Sequence, residues 1–151
     1  MRDIVIRPAT PADAPQIARL EQECFTHPWS EESVREELEN ENALFFAAER
    51  GGVIVAYGGM QTAADEGYIL NVAVHKALRC RGLGRAVIGA LTEEAKRQSL
   101  AFITLEMRET NMAAAALYTA CGFEPVGRRR GYYTQPKEDA ILMTLFFGER
   151  T

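Results

Sequence analysis

The chain has no apolar run near the roughly 18 residues that a membrane span requires. Its 151 residues include only three cysteines, two histidines and one tryptophan. The N-terminus, Met1-Arg2-Asp3 followed by Ile4, lacks the charged-then-apolar layout of a signal peptide, so no membrane attachment and a cytoplasmic location are expected. Cys24, Cys80 and Cys121 lie far apart with no C-x-x-C spacing, and His27 and His75 have no partner spacing; neither a disulfide framework nor a metal site is expected. Positive charge is also short, with 17 Lys and Arg against 21 Asp and Glu and a formal net charge of −4. Broad nucleic-acid binding depends on neutralising phosphates with surplus cations, so no direct nucleic-acid partner is expected. No linker or repeat interrupts the chain. At 47% hydrophobic and 25% charged residues it matches an ordinary globular protein. A chain of this length buries one sizeable core, which predicts a single domain over residues 1–151.

What positive charge there is collects in one place. Lys76 to Arg85 reads K-A-L-R-C-R-G-L-G-R, with four basic side chains, no acid and two glycines, between an apolar run (Tyr68 to Val74) and a helix-period run (Ala86 to Gln98). A cationic glycine turn from a strand into a helix N-terminus offers a pyrophosphate free backbone N–H groups, a favourable dipole end and no obstructing side chain. A dinucleotide turn of the G-x-G-x-x-G kind is disfavoured because position 87 is valine.

Local signals give an ordered series of elements. Asp3 to Arg7 alternates as a short strand. Thr10, Pro11 and Asp13 mark a helix start with Ile17 and Leu20 as its buried stripe, and Ser30 with Glu31 and Glu32 opens a second helix to about Leu38. Leu44 to Glu49 and Val53 to Tyr57 form a hairpin across Gly51-Gly52, and Tyr68 to Val74 suits a central strand covered on both faces. Val87, Ile88, Leu91 and Ala95 mark the helix after the glycine turn, followed by a strand at Ala101 to Met107. Asn111 caps a helix that Gly122 stops, and strands near Phe123 to Arg128 and Ala140 to Phe147 close the chain. The order predicts an α/β sheet with mixed strand directions.

Beyond the turn itself, Arg79 to Gly84 as R-x-x-G-x-G, several segments form recognisable motifs. They are N-V-A-V (Asn71 to Val74), L-E-M-R-E-T-N (Leu105 to Asn111), A-L-Y-x-x-C-G-F (Ala116 to Phe123), R-R-G-Y-Y (Arg129 to Tyr133), E-D-A-I-L-M (Glu138 to Met143) and H-P-W-S-E (His27 to Glu31). Together they resemble, almost end to end, the GNAT acyl-CoA-dependent N-acetyltransferases, and within them the RimI-type enzymes that acetylate a protein N-terminus. The resemblance implies a GNAT fold, with a mixed, mostly antiparallel sheet of about six or seven strands splayed at the acetyl-CoA site and about four flanking helices. It implies acetyl-CoA as cosubstrate, no metal, and transfer to the N-terminal alanine α-amine of a small-subunit ribosomal protein by direct attack in a ternary complex. A GNAT enzyme for a small amine such as a polyamine or antibiotic, or a non-catalytic CoA-binding domain, are the alternatives.

By the same resemblance the backbone of Val72, Ala73 and Val74 pairs with the pantetheine arm. The turn residues Cys80, Arg81, Gly82, Leu83, Gly84 and Arg85 hold the pyrophosphate, with Gly82 and Gly84 free of a colliding Cβ. Asn111 adds a hydrogen bond to the cosubstrate while serving as an N-cap. Glu106 is the implied general base. A carboxyl near 4.3 taking a proton from an α-ammonium near 8 is uphill by roughly 5 kcal/mol, so this role needs burial or a water relay. Tyr118, two turns along the helix from Asn111, is either core or the acid that protonates the departing thiolate. Trp29 either lines the peptide entrance or fixes its own loop, and Tyr132 and Tyr133 flank the acceptor peptide. Arg128, Arg129 and Arg130 form a patch that meets RNA, a ribosomal partner or solvent. Two departures from the subfamily are Gly131, where Asn commonly precedes the tyrosines, and Cys80, where a polar or basic residue is commoner.

Overall fold

A computed structural model describes residues 3–148 of the chain. The edge strand β1 (Ile4–Pro8) pairs antiparallel with β2 (Ala43–Arg50). Between them Pro11–Asp13 forms a 3-10 turn, and the regular helix α1 (Ala14–Cys24) begins only after it. The expected acid in the first turn serves this junction. The Arg7 guanidinium donates to Asp13 at 2.8 and 2.9 Å and the Thr10 N–H at 2.8 Å, which together hold the Asp13 carboxyl below its ordinary range and tie the turn to β1. Helix α2 (Glu31–Glu39) starts where Ser30 Oγ accepts the Ser33 N–H at 3.1 Å.

From β2 the chain turns at Gly51-Gly52 into β3 (Val53–Ala63), the expected hairpin, and then into the apolar strand β4 (Glu66–Val74). Helix α3 (Leu83–Arg97), strand β5 (Phe102–Arg108) and helix α4 (Met112–Ala120) follow, and β6 (Glu124–Tyr133) and β7 (Glu138–Phe146) close the chain. Strand β6 runs five residues past the expected end at Arg128. It does so through an irregularity between Arg129 and Tyr133, where Gly131 sits at φ +60° and donates its N–H to Asp139 Oδ1 at 2.8 Å. The departure from Asn at this position therefore falls on a left-handed backbone conformation, which both Gly and Asn tolerate.

The seven strands run in the order β1-β2-β3-β4-β5-β7-β6, antiparallel everywhere except between β4 and β5. Helices α1 and α2 cover one face, with Ile17, Leu20 and Val34 packed on Phe45, Tyr57 and Ala73. Helices α3 and α4 cover the other, with Ile88, Leu91 and Tyr118 packed on Met60, Ile103 and Leu105. The period-2 pattern of β5 is intact: Ile103, Leu105 and Met107 enter the core, and Thr104 and Glu106 face the other way. This is the mixed, mostly antiparallel sheet with four helices that the sequence predicts.

Candidate active site

Strands β4 and β5 pair over three residues only, Glu66 with Phe102, Gly67 with Ile103 and Tyr68 with Thr104, and then separate. Leu70 drives the separation from the other side of β4. Asn71 lies opposite Gly59 and Ile69 opposite Met60, so Leu70 is a bulge with no residue across from it, and a bulge bends its strand. Past the bulge, β4 is bonded to β3 alone. The His75 N–H donates to the Val55 carbonyl at 2.8 Å, so the alternation of an antiparallel ladder turns the polar groups of Ala73 toward β3 and those of Val72 and Val74 into the cleft. The Val74 carbonyl is already engaged by Arg79 Nε at 3.0 Å and by Cys24 Sγ at 3.5 Å. The groups left to pair with an extended ligand are the Val72 N–H and carbonyl and the Val74 N–H. Of the three strand residues expected to bind the cosubstrate, Ala73 is the one whose backbone polar groups face β3.

The cationic turn leads from β4 to α3. A short 3-10 turn, Lys76–Leu78, is capped by His75 Nδ1, which accepts the Ala77 N–H at 3.1 Å. Cys80 and Gly82 then adopt φ +62° and +88°, and α3 starts at Leu83 with no side chain capping it. Its first-turn N–H groups, of Leu83, Gly84 and Arg85, therefore point outward at the positive end of the helix dipole. Arg79, Arg81 and Arg85 are exposed around them, whereas the Leu83 side chain is buried in the core and offers only its backbone. Gly84 has a reason inside the protein: a Cβ there would meet Leu117 Cδ2 at 3.1 Å. That contact seats α4 against the turn. Asn111 caps α4, accepting the Ala114 N–H at 3.1 Å through Oδ1, and its exposed amide retains its donors.

Glu106 stands on β5 beside the cleft with its side chain only 8% exposed. Its Oε1 lies 3.3 Å from Arg129 Nε, and its Oε2 is buried with no hydrogen-bond partner. Four phenols surround this region. Burial, followed by the Glu106 carboxylate, pushes Tyr68 up, and Glu106 is the leading cause of a rise at Tyr132. Tyr133 is raised by burial, then by Glu106 and Tyr132; its ring stands edge-on to Tyr132 at 5.1 Å and under the Arg108 guanidinium at 4.4 Å. Burial, with smaller contributions from Cys121 and Tyr133, pushes Tyr118 up to about 12. Tyr133 thus lies within electrostatic reach of both Glu106 and Tyr118, the expected base and acid. Among the described residues no cluster of His, Cys, Asp or Glu is arranged to hold a metal ion.

The remaining expectations separate. The Trp29 ring packs against the α1-α2 core, and the Trp29 backbone N–H donates to Glu21 Oε1 at 2.9 Å; both contacts fix its loop. Arg128 is held by Glu109 and Asp139, both at 2.9 Å, and Arg129 by Glu106, so the arginine patch is not a uniform basic surface. Sequence reasoning missed Tyr68, Asn71 and Glu21. The signal for Glu21 was a charge on the Ile17–Cys24 stripe of α1, where an apolar residue belongs.

Comparison with known proteins gives a family and a fold. Residues 14–123 match the family described as "Acetyltransferase (GNAT) family". The "[Ribosomal protein bS18]-alanine N-acetyltransferase" of Escherichia coli (strain K12) is 36% identical over 135 residues, covering 88% of this chain and 90% of that one. The crystal structure of the ribosomal-protein-S18-alanine N-acetyltransferase from Escherichia coli superposes with a TM-score of 0.89 at 33% identity, over 98% of this chain and 96% of its own. Arabidopsis thaliana NAA60, solved with acetyl-CoA, shares the fold at a TM-score of 0.87 and 19% identity, over 95% of this chain and 99% of its own.

Proposed function

Since the chain belongs to the GNAT family of acetyltransferases, we propose that it acetylates the α-amine of an N-terminal alanine on a small-subunit ribosomal protein, as one domain working in the cytoplasm. It is an acetyltransferase, and acetyl-CoA is its cosubstrate. The acceptor follows the activity named for the Escherichia coli relative. An α-amine is also the easier nucleophile, because a lysine near 10.4 adds about 3 kcal/mol to the cost of exposing the lone pair.

The observation that carries this reading is Glu106 Oε2, buried at the strand splay without a partner. A buried carboxylate oxygen costs stability unless something donates to it, and an incoming ammonium supplies the donor. Glu106 takes a proton from that ammonium, and the freed nitrogen attacks the thioester carbonyl. The C–N bond forms, the C–S bond breaks, and the leaving thiolate takes a proton from Tyr118, which remains protonated at neutral pH. The second proton on the attacking nitrogen restores the Tyr118 phenol, and Glu106 releases the first to solvent, so one proton leaves per turnover. The Val72 and Val74 backbone groups align the pantetheine arm, and the amides of Leu83, Gly84 and Arg85 with the flanking arginines take the pyrophosphate. Asn111 donates to the cosubstrate from its free amide, and Tyr132 and Tyr133 border the acceptor.

Calorimetric titration with coenzyme A, followed by acetylation assays on an Ala-starting peptide and on spermidine, tests the proposal. Uptake of coenzyme A and a one-acetyl mass gain on the peptide N-terminus are expected. A preference for spermidine would overturn the acceptor, and no coenzyme A uptake would overturn the cradle.

A further inference from the structure

Glu21 is fully buried, with 0% exposure, and its partners among the described residues are three neutral donors. Oε1 accepts the Trp29 N–H at 2.9 Å; Oε2 accepts the Tyr57 hydroxyl and Asn71 Nδ2, the latter at 3.0 Å. A carboxylate taken out of water without a counter-ion is costly, and an apolar residue at this helix position would avoid the cost. The partners lie on three separate elements: the loop after α1, strand β3 and strand β4.

One of those elements, β4, forms the cleft wall, and the loop is tied to it. Asn71 lies between the bulged Leu70 and Val72, whose backbone faces the cleft. Helix α1 ends at Cys24, whose thiol donates to the cleft-facing Val74 carbonyl, and the loop after it returns at Trp29, whose backbone N–H reaches Glu21. The two ends of the loop are therefore tied to β4, at residue 74 through Cys24 and at residue 71 through the Glu21 carboxylate.

We infer that Glu21 is a positioning residue, locking the Phe25–Ser30 loop to the β4 bulge so that the cleft holds acceptor and thioester in register over Glu106. It touches neither reactant. The inference rests on the reading that β4 aligns the thioester and Glu106 receives the proton, but on no particular acceptor amine.

The test compares Glu21→Met, Glu21→Gln, Asn71→Ala and Tyr57→Phe with the wild-type chain, using whichever amine the wild type acetylates best. A wild type that acetylates no amine refutes the function and, with it, this inference; the variant-to-wild-type ratios judge Glu21 alone. Glu21→Met cuts both links between loop and strand, and is expected to lower kcat by about 10- to 100-fold with little change in the acetyl-CoA KM. Glu21→Gln, whose amide accepts from Trp29 and donates to a flipped Asn71, is expected to stay within about threefold of wild type. Tyr57→Phe removes a buried bond that does not join loop to β4, so it should lower Tm and leave kcat unchanged. Asn71→Ala severs the β4 link at a partly exposed site and covers the case in which Glu21→Met does not fold; a roughly tenfold loss in kcat is expected. Wild-type kcat in folded Asn71→Ala or Glu21→Met, or an equal loss in Tyr57→Phe, would overturn the inference.

Discussion

Replacing Glu106 by Gln is expected to move activity and stability in opposite directions. The buried Oε2 has no hydrogen bond, which costs about 1–3 kcal/mol for a polar group held away from water. Against this, Oε1 has one ionic partner, Arg129, whose side chain is 56% exposed, and such pairs contribute about 0–1 kcal/mol. Gln keeps the shape and removes the charge, so the variant should be more stable by about 0–3 kcal/mol. In a chain of this size each kcal/mol moves Tm by about 2–4 °C, so the melting point should hold or rise by a few degrees. Loss of a general base should lower kcat by about 10²- to 10⁴-fold, roughly 2.7–5.4 kcal/mol of barrier. Thermal unfolding and thiol release at saturating acetyl-CoA measure the two quantities on one preparation. A Tm lowered by more than about 8 °C with kcat within about threefold of wild type would refute the reasoning, because Glu106 would then be a structural charge.

Tyr118→Phe should lower kcat by about 10²-fold with Tm little changed, since the phenol forms no hydrogen bond among the described residues; steady-state kinetics and a melt check both halves. Because burial keeps Tyr118 protonated at neutral pH, no alkaline loss of rate in that range should vanish in this variant. Gly82→Ala meets open space but a φ of +88°, so backbone strain alone should cost about 1–2 kcal/mol, seen as a lower Tm, with weaker coenzyme A uptake by calorimetry. Arg7→Met removes the main cause of the lowered Asp13 value. A depressed carboxyl stabilises the fold above its unfolded value near 3.8 and loses that contribution as pH falls through its folded value. Wild type and variant should therefore differ most in Tm at neutral pH and converge in acid, and a gap that widens as pH falls would contradict the assignment.

Much of the fold was legible because its signals are short-ranged. Ser30 and Asn111 are caps whose oxygens bond amides three residues on, and Gly51-Gly52 turns a hairpin between adjacent strands. The cationic turn was legible for the same reason: Cys80, Gly82 and the uncapped start of α3 lie within ten residues of one another. Less visible was which groups remain free once the chain is folded. Ala73 read as equivalent to Val72 and Val74, yet the β3 ladder claims its polar groups, and Arg79 claims the Val74 carbonyl.

By itself the sequence determined the order and type of the elements, the turn with exposed amides, and the family motifs that mark Glu106 and Tyr118, because helix caps, strand alternation and glycine turns act over a few residues. Only the tertiary structure decided that β4 parts from β5 after Tyr68, that Arg129 reaches across β7 to a half-satisfied Glu106, and that Glu21 joins a loop to two strands. Those contacts link residues between 8 and 50 positions apart, and their partners are selected by sheet register and by the cost of leaving a buried polar group unpaired.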